Sequence, residues 1–287
     1  MEAGVQFKVL FTGLGSIGQK HLKNLNAADD TYIVDALRRE NKPFKGVENI
    51  YTSYDEVPDD YDIIFITNPT NLHYEAITKL KNKTKNFFIE KPIFDFPRDC
   101  EFSKGVNYVA CPLRFNSEIK KLKEFVENNN VYAFRAICSS YLPDWRKTGD
   151  YRNCYSAKKE MGGGVELDLI HEIDYLKWIF GKFNTVKRIS AKKSNLEITS
   201  NDVGLYLFEN EKTAGSLHLD YFGKETKRQI EVFAETETKT FDLLKNTNDM
   251  YLEEMKYFIG KVKNHDKDCY NAPIEALESL KSALWKR

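Results

Sequence analysis

Phe7-Lys8-Val9-Leu10-Phe11-Thr12-Gly13-Leu14-Gly15-Ser16-Ile17-Gly18 decides the fold. An apolar, β-rich run ends at Thr12 and meets glycines in the spacing Gly-x-Gly-x-x-Gly. Helix-compatible sequence follows from Ser16 to about Asn26, with Ile17, Leu22 and Leu25 on one side. In a strand–turn–helix setting, such glycines permit a tight turn, close approach to a pyrophosphate and close helix–strand packing. The helix N-terminus then faces the anion. Gly13, Gly15, Ser16, Ile17 and Gly18 are the expected phosphate contacts.

Working outward, Thr31–Leu37 reads as a second strand and Asp62–Thr67 as a third. The near-continuous apolar run of the third suits a parallel strand covered on both faces. A helix is expected from about His73 to Lys81, then strands at Asn86–Glu90 and Val106–Ala110. Strands alternating with helices imply a doubly wound parallel sheet. The texture changes near Phe115. A helix at Ser117–Glu127 leads into a strand at Val131–Ser140, a polar aromatic loop at Tyr141–Lys159 and a single helix at about Val165–Phe180. Strands are then expected at 185–192, 202–208, 213–221, 227–234 and 238–243. Successive strands with short turns indicate a mostly antiparallel sheet. Helices near Met250–Lys263 and Pro273–Trp285 close the chain. The fold class is therefore α/β, with residues 1–115 as a dinucleotide-binding domain and 116–287 as a second α/β domain.

About 20 residues past the glycines, an acid would hold a ribose 2′-hydroxyl, whereas an arginine pairs with a 2′-phosphate. Counting from Gly18 lands on Arg38, followed by Arg39. That favours NADP. Asp35 lies just before, and an Asp35 at the strand tip would return NAD.

Bulk composition narrows the class. Lys+Arg and Asp+Glu are 43 each in 287 residues, so bulk charge does not hold this chain to nucleic acid. No apolar run approaches the roughly 18 residues of a membrane span. The N-terminus lacks the basic start and apolar stretch of a signal peptide. Cys100, Cys111, Cys138, Cys154 and Cys269 are scattered without Cys-x-x-Cys spacing, and read as reduced thiols in a cytoplasmic protein. His21, His73, His171, His218 and His265 show no ligand spacing, so no metal is expected. His21 and His218 are assigned to packing or surface roles, and His73 to the lining of the cofactor pocket.

Two further segments carry chemistry. Glu90-Lys91-Pro92 follows a parallel strand, at the sheet edge where ligands bind in such folds. A lysine there can bias the proton of a substrate hydroxyl, and the proline fixes the turn. Gly162-Gly163-Gly164-Val-Glu-Leu-Asp168-Leu-Ile-His171-Glu-Ile-Asp174 places an acid and a histidine three residues apart, on one face of the expected helix. The glycines before it allow close backbone or ligand approach.

Together with Thr67-Asn68-Pro69-Thr-Asn-Leu-His73 and Arg114-Phe115, these segments resemble, in order, the Gfo/Idh/MocA family (glucose–fructose oxidoreductase, inositol dehydrogenase, rhizopine catabolism). The resemblance implies an N-terminal Rossmann domain, a C-terminal domain with an open, mostly antiparallel sheet used in substrate binding and oligomerisation, and NAD(P)-dependent redox chemistry on a sugar, cyclitol or sugar nucleotide. It maps the family's lysine to Lys91, its acid/base histidine to His171 and its helix-borne aspartate to Asp168. Thr67, Asn68, Pro69, His73, Glu90 and Lys91 join the cofactor contacts. Many members carry the aspartate four residues before the histidine; here Leu167 stands there. The stretch from Pro92 to Asn107 is also short for a crossover that usually carries a helix.

The loop Tyr141–Ser156 resembles that of a subgroup associated with bacterial surface polysaccharides. Aromatic faces stack on sugars or bases, and arginines grip phosphate or carboxylate. Trp145, Arg146, Tyr151, Arg152 and Arg114 are the expected substrate contacts. In the expected reaction His171 exchanges the hydroxyl proton, Lys91 polarises the oxygen and Asp168 orients His171. The alternatives are an NAD-dependent glycoside hydrolase of the same fold and a non-catalytic dinucleotide-binding sensor. A homo-oligomer is expected.

Overall fold

The computed structural model describes residues 6–28, 31–145, 149–245 and 249–284. They form two compact units. One comprises residues 1–111 and 251–277, the other 112–250 and 278–287. The expected boundary at 115 thus falls slightly earlier, and the first unit also recruits a C-terminal segment that the sequence reading had given to the second.

The first unit is built on a parallel sheet. Its strands are β1 (Gln6–Phe11), β2 (Thr31–Leu37), β3 (Ile50–Tyr51), β4 (Tyr61–Ile66), β5 (Thr84–Ile89) and β6 (Asn107–Val109), in the order β3-β2-β1-β4-β5-β6. Every pairing is parallel. Val9, Leu10 and Phe11 of β1 and Ile63 to Ile66 of β4 are wholly buried, as strands covered on both faces require. The order reverses at β1, whose neighbours are β2 and β4, so the crevice beyond its carboxyl end is a topological switch point.

Helix α1 (Ser16–Asn26) buries Gly18, His21, Leu22 and Leu25, and α2 (His73–Leu80) buries His73, Ala76, Ile77 and Leu80. Among the described residues no helix forms between β5 and β6, as the short crossover anticipates. That side of the sheet is packed by α6 (Met250–Lys263), which comes from far along the chain. Its Phe258 ring meets Phe65, Phe88 and Tyr108 at 6.0, 5.2 and 5.8 Å. Met255, Phe258, Ile259 and Val262 lie on one helical face and are buried. Burial of a phenylalanine of this kind contributes about 1.5–3 kcal/mol.

The second unit holds a mixed sheet of β7 (Val131–Tyr141), β8 (Thr185–Ala191), β9 (Val203–Glu209), β10 (Ala214–Asp220), β11 (Phe222–Ala234) and β12 (Thr238–Asp242), ordered β12-β11-β7-β10-β9-β8. The β7–β10 pair is parallel and the rest antiparallel. One face is covered by helices. Phe180 of α5 (Ile170–Phe180) stacks on Phe134 at 4.5 Å, and Phe125 of α3 (Ser117–Glu127) meets Phe241 at 5.7 Å. Asn116 caps α3 by accepting the Glu118 and Ile119 backbone N–H groups. The other face is open, and on it Ile189 and Leu207 are 63% and 58% exposed.

The expected single helix at 165–180 is two. Short α4 (Val165–Asp168) stops at Leu169, whose φ of −98° and ψ of 23° leave helical geometry, and α5 begins at Ile170. Asp168 and His171 therefore sit on either side of a break rather than on one continuous face.

Candidate functional site

In the first unit the glycine turn lies at the carboxyl end of β1, beside the end of β4. The Thr67 hydroxyl donates to the Gly13 carbonyl at 2.7 Å, and the Thr67 backbone N–H donates to Thr12 Oγ1 at 3.1 Å. Gly13 has φ +115°, a conformation that favours glycine. A Cβ on Gly18 would fall 2.4 Å from the Gly13 carbonyl oxygen, so the third glycine lets α1 close on the turn. A Cβ on Gly15 would meet nothing within 4 Å. No side chain caps α1 and no acid stands in its first turn. Open space in front of uncapped N–H groups fits a pyrophosphate. Ser16 is exposed there and Ile17 half-buried. These residues would hold a dinucleotide through its phosphates.

Asp35 is not at the strand tip. It is 0% exposed inside β2, with Oδ1 accepting the Asn49 backbone and side-chain N–H groups at 3.0 and 2.9 Å and Oδ2 accepting the Tyr61 hydroxyl at 2.6 Å. The strand ends at Leu37, and Arg38 and Arg39 follow. Arg38 is half-exposed, donates from Nη1 to the Lys42 carbonyl at 3.0 Å and lies over the Phe44 ring.

The end of β5 lies two strands from the glycine turn, roughly 10 Å at about 4.8 Å per strand. Here the Glu90 backbone N–H donates to the Ile66 carbonyl at 2.9 Å. The Glu90 side chain is buried, paired with the His21 ring, and accepts the Lys91 backbone N–H at 3.0 Å. Burial pushes its carboxyl up, but His21 and the Lys91 charge outweigh that and hold it below the ordinary carboxylate range. Glu90, expected among the cofactor contacts, thus has its carboxylate engaged within the protein and anchors the turn that presents half-buried Lys91. His21 is the partner that sequence reasoning had left as a packing residue. The Lys91–Pro92 bond is cis.

His73 is the residue expected to line the cofactor pocket. It is buried, with Nε2 against the Asn68 carbonyl at 2.9 Å and Nδ1 against the Pro92 and Ile93 carbonyls at 3.1 and 3.2 Å. Burial pushes its pKa down. It pins the loop after β4 to the turn after β5, leaving half-buried Asn68 and exposed Pro69 at the edge while Thr67 is buried.

In the second unit both oxygens of buried Asp168 are covered by phenols. Tyr155 donates to Oδ1, and Tyr221 donates to Oδ2 at 2.5 Å. Trp145 packs edge-on against Tyr221 at 5.3 Å, with its Nε1 donating to Ser140 Oγ at 2.9 Å. The glycines explain how the loop reaches Asp168. A Cβ on Gly163 would lie 2.1 Å from the Tyr155 carbonyl oxygen, so only glycine lets the loop pack against the start of α4. His171, in the first turn of α5, is half-buried. Tyr155 lies in the loop Tyr141–Ser156 but is not among the expected contacts, and Tyr221 is an ordinary strand-end residue by sequence.

The expected arginine grips fare differently. Arg114 is 3% exposed and forms a two-pronged pair with Asp174, at 3.0 Å from Nε and 2.7 Å from Nη2. This buried ion pair engages the guanidinium of Arg114, a residue expected to contact substrate. Arg152 is exposed but engaged by Asp150 at 2.7 Å and Glu197 at 3.0 Å. The Tyr151 hydroxyl accepts the Glu197 backbone N–H at 3.1 Å. Arg146 lies outside the described residues. Among the described residues no cluster of three metal-binding side chains occurs, and no helix is long and apolar enough to cross a membrane.

Residues 7–103 match the Gfo/Idh/MocA oxidoreductase family with NAD-binding Rossmann fold. The myo-inositol 2-dehydrogenase of Thermotoga maritima is 27% identical, over 88% of this chain and 87% of its own. Among solved structures, the myo-inositol 2-dehydrogenase of Lactobacillus plantarum superposes with a TM-score of 0.81 at 17% identity, over 97% of this chain and 95% of that one. The WlbA dehydrogenase of Bordetella pertussis, in complex with NADH and UDP-GlcNAcA, superposes with a TM-score of 0.80 at 15% identity, over 98% and 96%. At these identities the two structures establish the fold.

Proposed function

Because this chain belongs to the Gfo/Idh/MocA family and is an oxidoreductase with a dinucleotide-binding Rossmann domain, we propose that it oxidises or reduces a sugar, cyclitol or sugar nucleotide, with NADP as its preferred cofactor. The observation that carries the redox reading is the gathering of the glycine turn, the Thr67–Pro69 loop and Lys91 on the carboxyl edge of adjacent parallel strands. When bound, the nicotinamide accepts or supplies a hydride. Lys91 polarises the substrate oxygen, and His171 takes or returns its proton. Asp168 orients His171 and stabilises its charged form. Asp35 and Arg38 support the NADP preference: the acid is used up inside the sheet, and a guanidinium stands just past the strand.

The substrate class is supported by relatives that act on inositols and by one solved with a sugar nucleotide. Trp145 and Tyr151 offer aromatic faces of the kind that stack on sugars or bases, which suits a sugar nucleotide and a place in surface-polysaccharide synthesis. Self-association is assigned to the open face of the second unit's sheet, where Ile189, Leu205 and Leu207 form an exposed apolar group. A single monomeric peak in sizing with light scattering removes that assignment.

The test is a nicotinamide absorbance assay on a cyclitol and sugar-nucleotide panel with Lys91→Ala and His171→Asn. Both variants are expected to lose turnover at least a hundredfold while keeping dinucleotide affinity. Full turnover in either overturns the assignment of that residue. Turnover without added cofactor and without net absorbance change would identify a glycoside hydrolase instead.

A further inference from the structure

His21 lies 69 residues before Glu90, yet its wholly buried ring meets that carboxyl directly. Glu90 is held ionised at neutral pH, and an ionised carboxylate only accepts, so His21 Nε2 donates to Oε1. The other oxygen, Oε2, accepts the Lys91 backbone N–H at 3.0 Å. Two contacts therefore run from an imidazole on α1, through one carboxylate, to the backbone of Lys91. His73 on α2 holds the far side of the same turn, through the Pro92 and Ile93 carbonyls.

As a device for stability the His21–Glu90 pair is poor. The ring sits edge-on to Phe88 at 4.7 Å and lies 6.5 Å from Phe65, a setting that an apolar side chain would fill. Its Nδ1 is buried with no hydrogen-bond partner among the described residues. Removing two such groups from water offsets much of their attraction, and well-packed apolar residues often replace buried pairs without loss. What the pair supplies is direction, because it fixes which way the Glu90 carboxylate faces. Lys20, also on α1, bears on Glu90 by charge, but its ammonium lies over the Tyr251 ring at 3.3 Å.

Gly18 and His21 share the buried face of α1, one turn apart. Gly18 lets the helix close on the glycine turn, and His21 reaches the end of β5. The helix whose first turn would face a pyrophosphate thus also carries the residue that holds the turn of Lys91. We propose that His21 is a positioning residue: acting through Glu90, it fixes the backbone from which Lys91 reaches the substrate oxygen, a role that rests on the chemistry assigned to Lys91 above. Misplacing a reacting group by about 1 Å can cost about a hundredfold in rate.

The test reads the Lys91 backbone amide by NMR hydrogen exchange in the full chain, with lysine-selective isotope labelling and the signal assigned by Lys91→Arg. Turnover is read on the cyclitol and sugar-nucleotide panel. In His21→Ala, exchange at Lys91 is expected to speed up at least about tenfold. The kcat falls roughly ten- to a hundredfold, while dinucleotide Kd and substrate KM stay within about threefold of wild type. His21→Gln, which returns an N–H donor towards Glu90, restores both readouts. His21→Leu, which refills the space against Phe88 without a donor, restores neither. In a Lys91→Ala background His21→Ala costs nothing further in kcat, because residues that act as a unit are not additive.

Unchanged exchange at Lys91 in His21→Ala and His21→Leu overturns the proposal, as does equal loss in His21→Gln and His21→Leu. If His21→Ala does not fold, His21→Leu takes its place. If neither folds, Glu90→Asp, which keeps the charge and shortens the arm between His21 and Lys91, is read in the same way. Full turnover in Lys91→Ala would overturn the chemistry assigned to Lys91 but leave the exchange result standing, so the two failures are distinguishable.

Discussion

The Tyr61 hydroxyl donates to Asp35 Oδ2 at 2.6 Å, while Asn49 fills Oδ1 twice. Asp35, the acid just before the expected ribose position, is thereby turned into an internal brace that ties β2 to the start of β4, across β1, and to the segment before β3. Asp35→Ala is expected to strand the Asn49 N–H and the Tyr61 hydroxyl without acceptors, at a cost of about 1–3 kcal/mol. The ratio of NADP to NAD affinity should stay as in the wild type. Denaturant unfolding and cofactor titration of the variant check both parts; a changed cofactor ratio would place Asp35 at the ribose after all.

The glycines of the turn separate folding from binding. Gly15→Ala puts a methyl group into open space, so its melting temperature should match the wild type. The methyl lies where a pyrophosphate would approach, and dinucleotide affinity should fall roughly tenfold or more, about 1.4 kcal/mol. Gly18→Ala forces a carbon to within 2.4 Å of a backbone oxygen, and overpacking of this kind costs about 1–3 kcal/mol. Thermal melts with calorimetric titration distinguish the pair. Equal destabilisation in both would contradict the geometry.

Glu90 makes part of the stability depend on pH. Its folded pKa is lowered by His21 and Lys91 against the push of burial. A carboxylate of this kind adds stability above its unfolded value, near about 4.3, and loses it as pH falls through the lower folded value. Glu90→Gln should cost about 1–3 kcal/mol at pH 7, with the gap to wild type narrowing as the solution is acidified below about pH 4. Urea unfolding of both proteins across that window is the measurement; a gap that widens on acidification would reverse the sign argued here.

Much of the fold was legible because its signals are local. The spacing of Gly13, Gly15 and Gly18 after an apolar run encodes a strand–turn–helix within one short segment, and α1, β2, α3 and α6 lie where the apolar patterning places them. What escaped depends on partners distant in sequence. Asp35 is claimed by Asn49 and Tyr61, 14 and 26 residues away. Arg114 is claimed by Asp174, 60 residues away. Tyr221 reaches Asp168 across 53 residues. Neither arginine nor tyrosine announces whether it will face a ligand or a buried carboxylate. The break at Leu169 was invisible because apolar periodicity runs through it, and the recruitment of α6 into the first unit follows from a tertiary need: the β5–β6 crossover carries no helix.

The most direct test of the account is a titration of the purified wild type and Arg38→Ala with NADPH and NADH, followed by nicotinamide fluorescence. The account predicts tighter binding of NADPH by the wild type and loss of that preference in Arg38→Ala, with NADH affinity little changed. Preference for NADH in the wild type, unaltered in the variant, would contradict the assignment of Arg38 to the 2′-phosphate; binding of neither dinucleotide by cofactor-free protein would contradict the proposed redox chemistry.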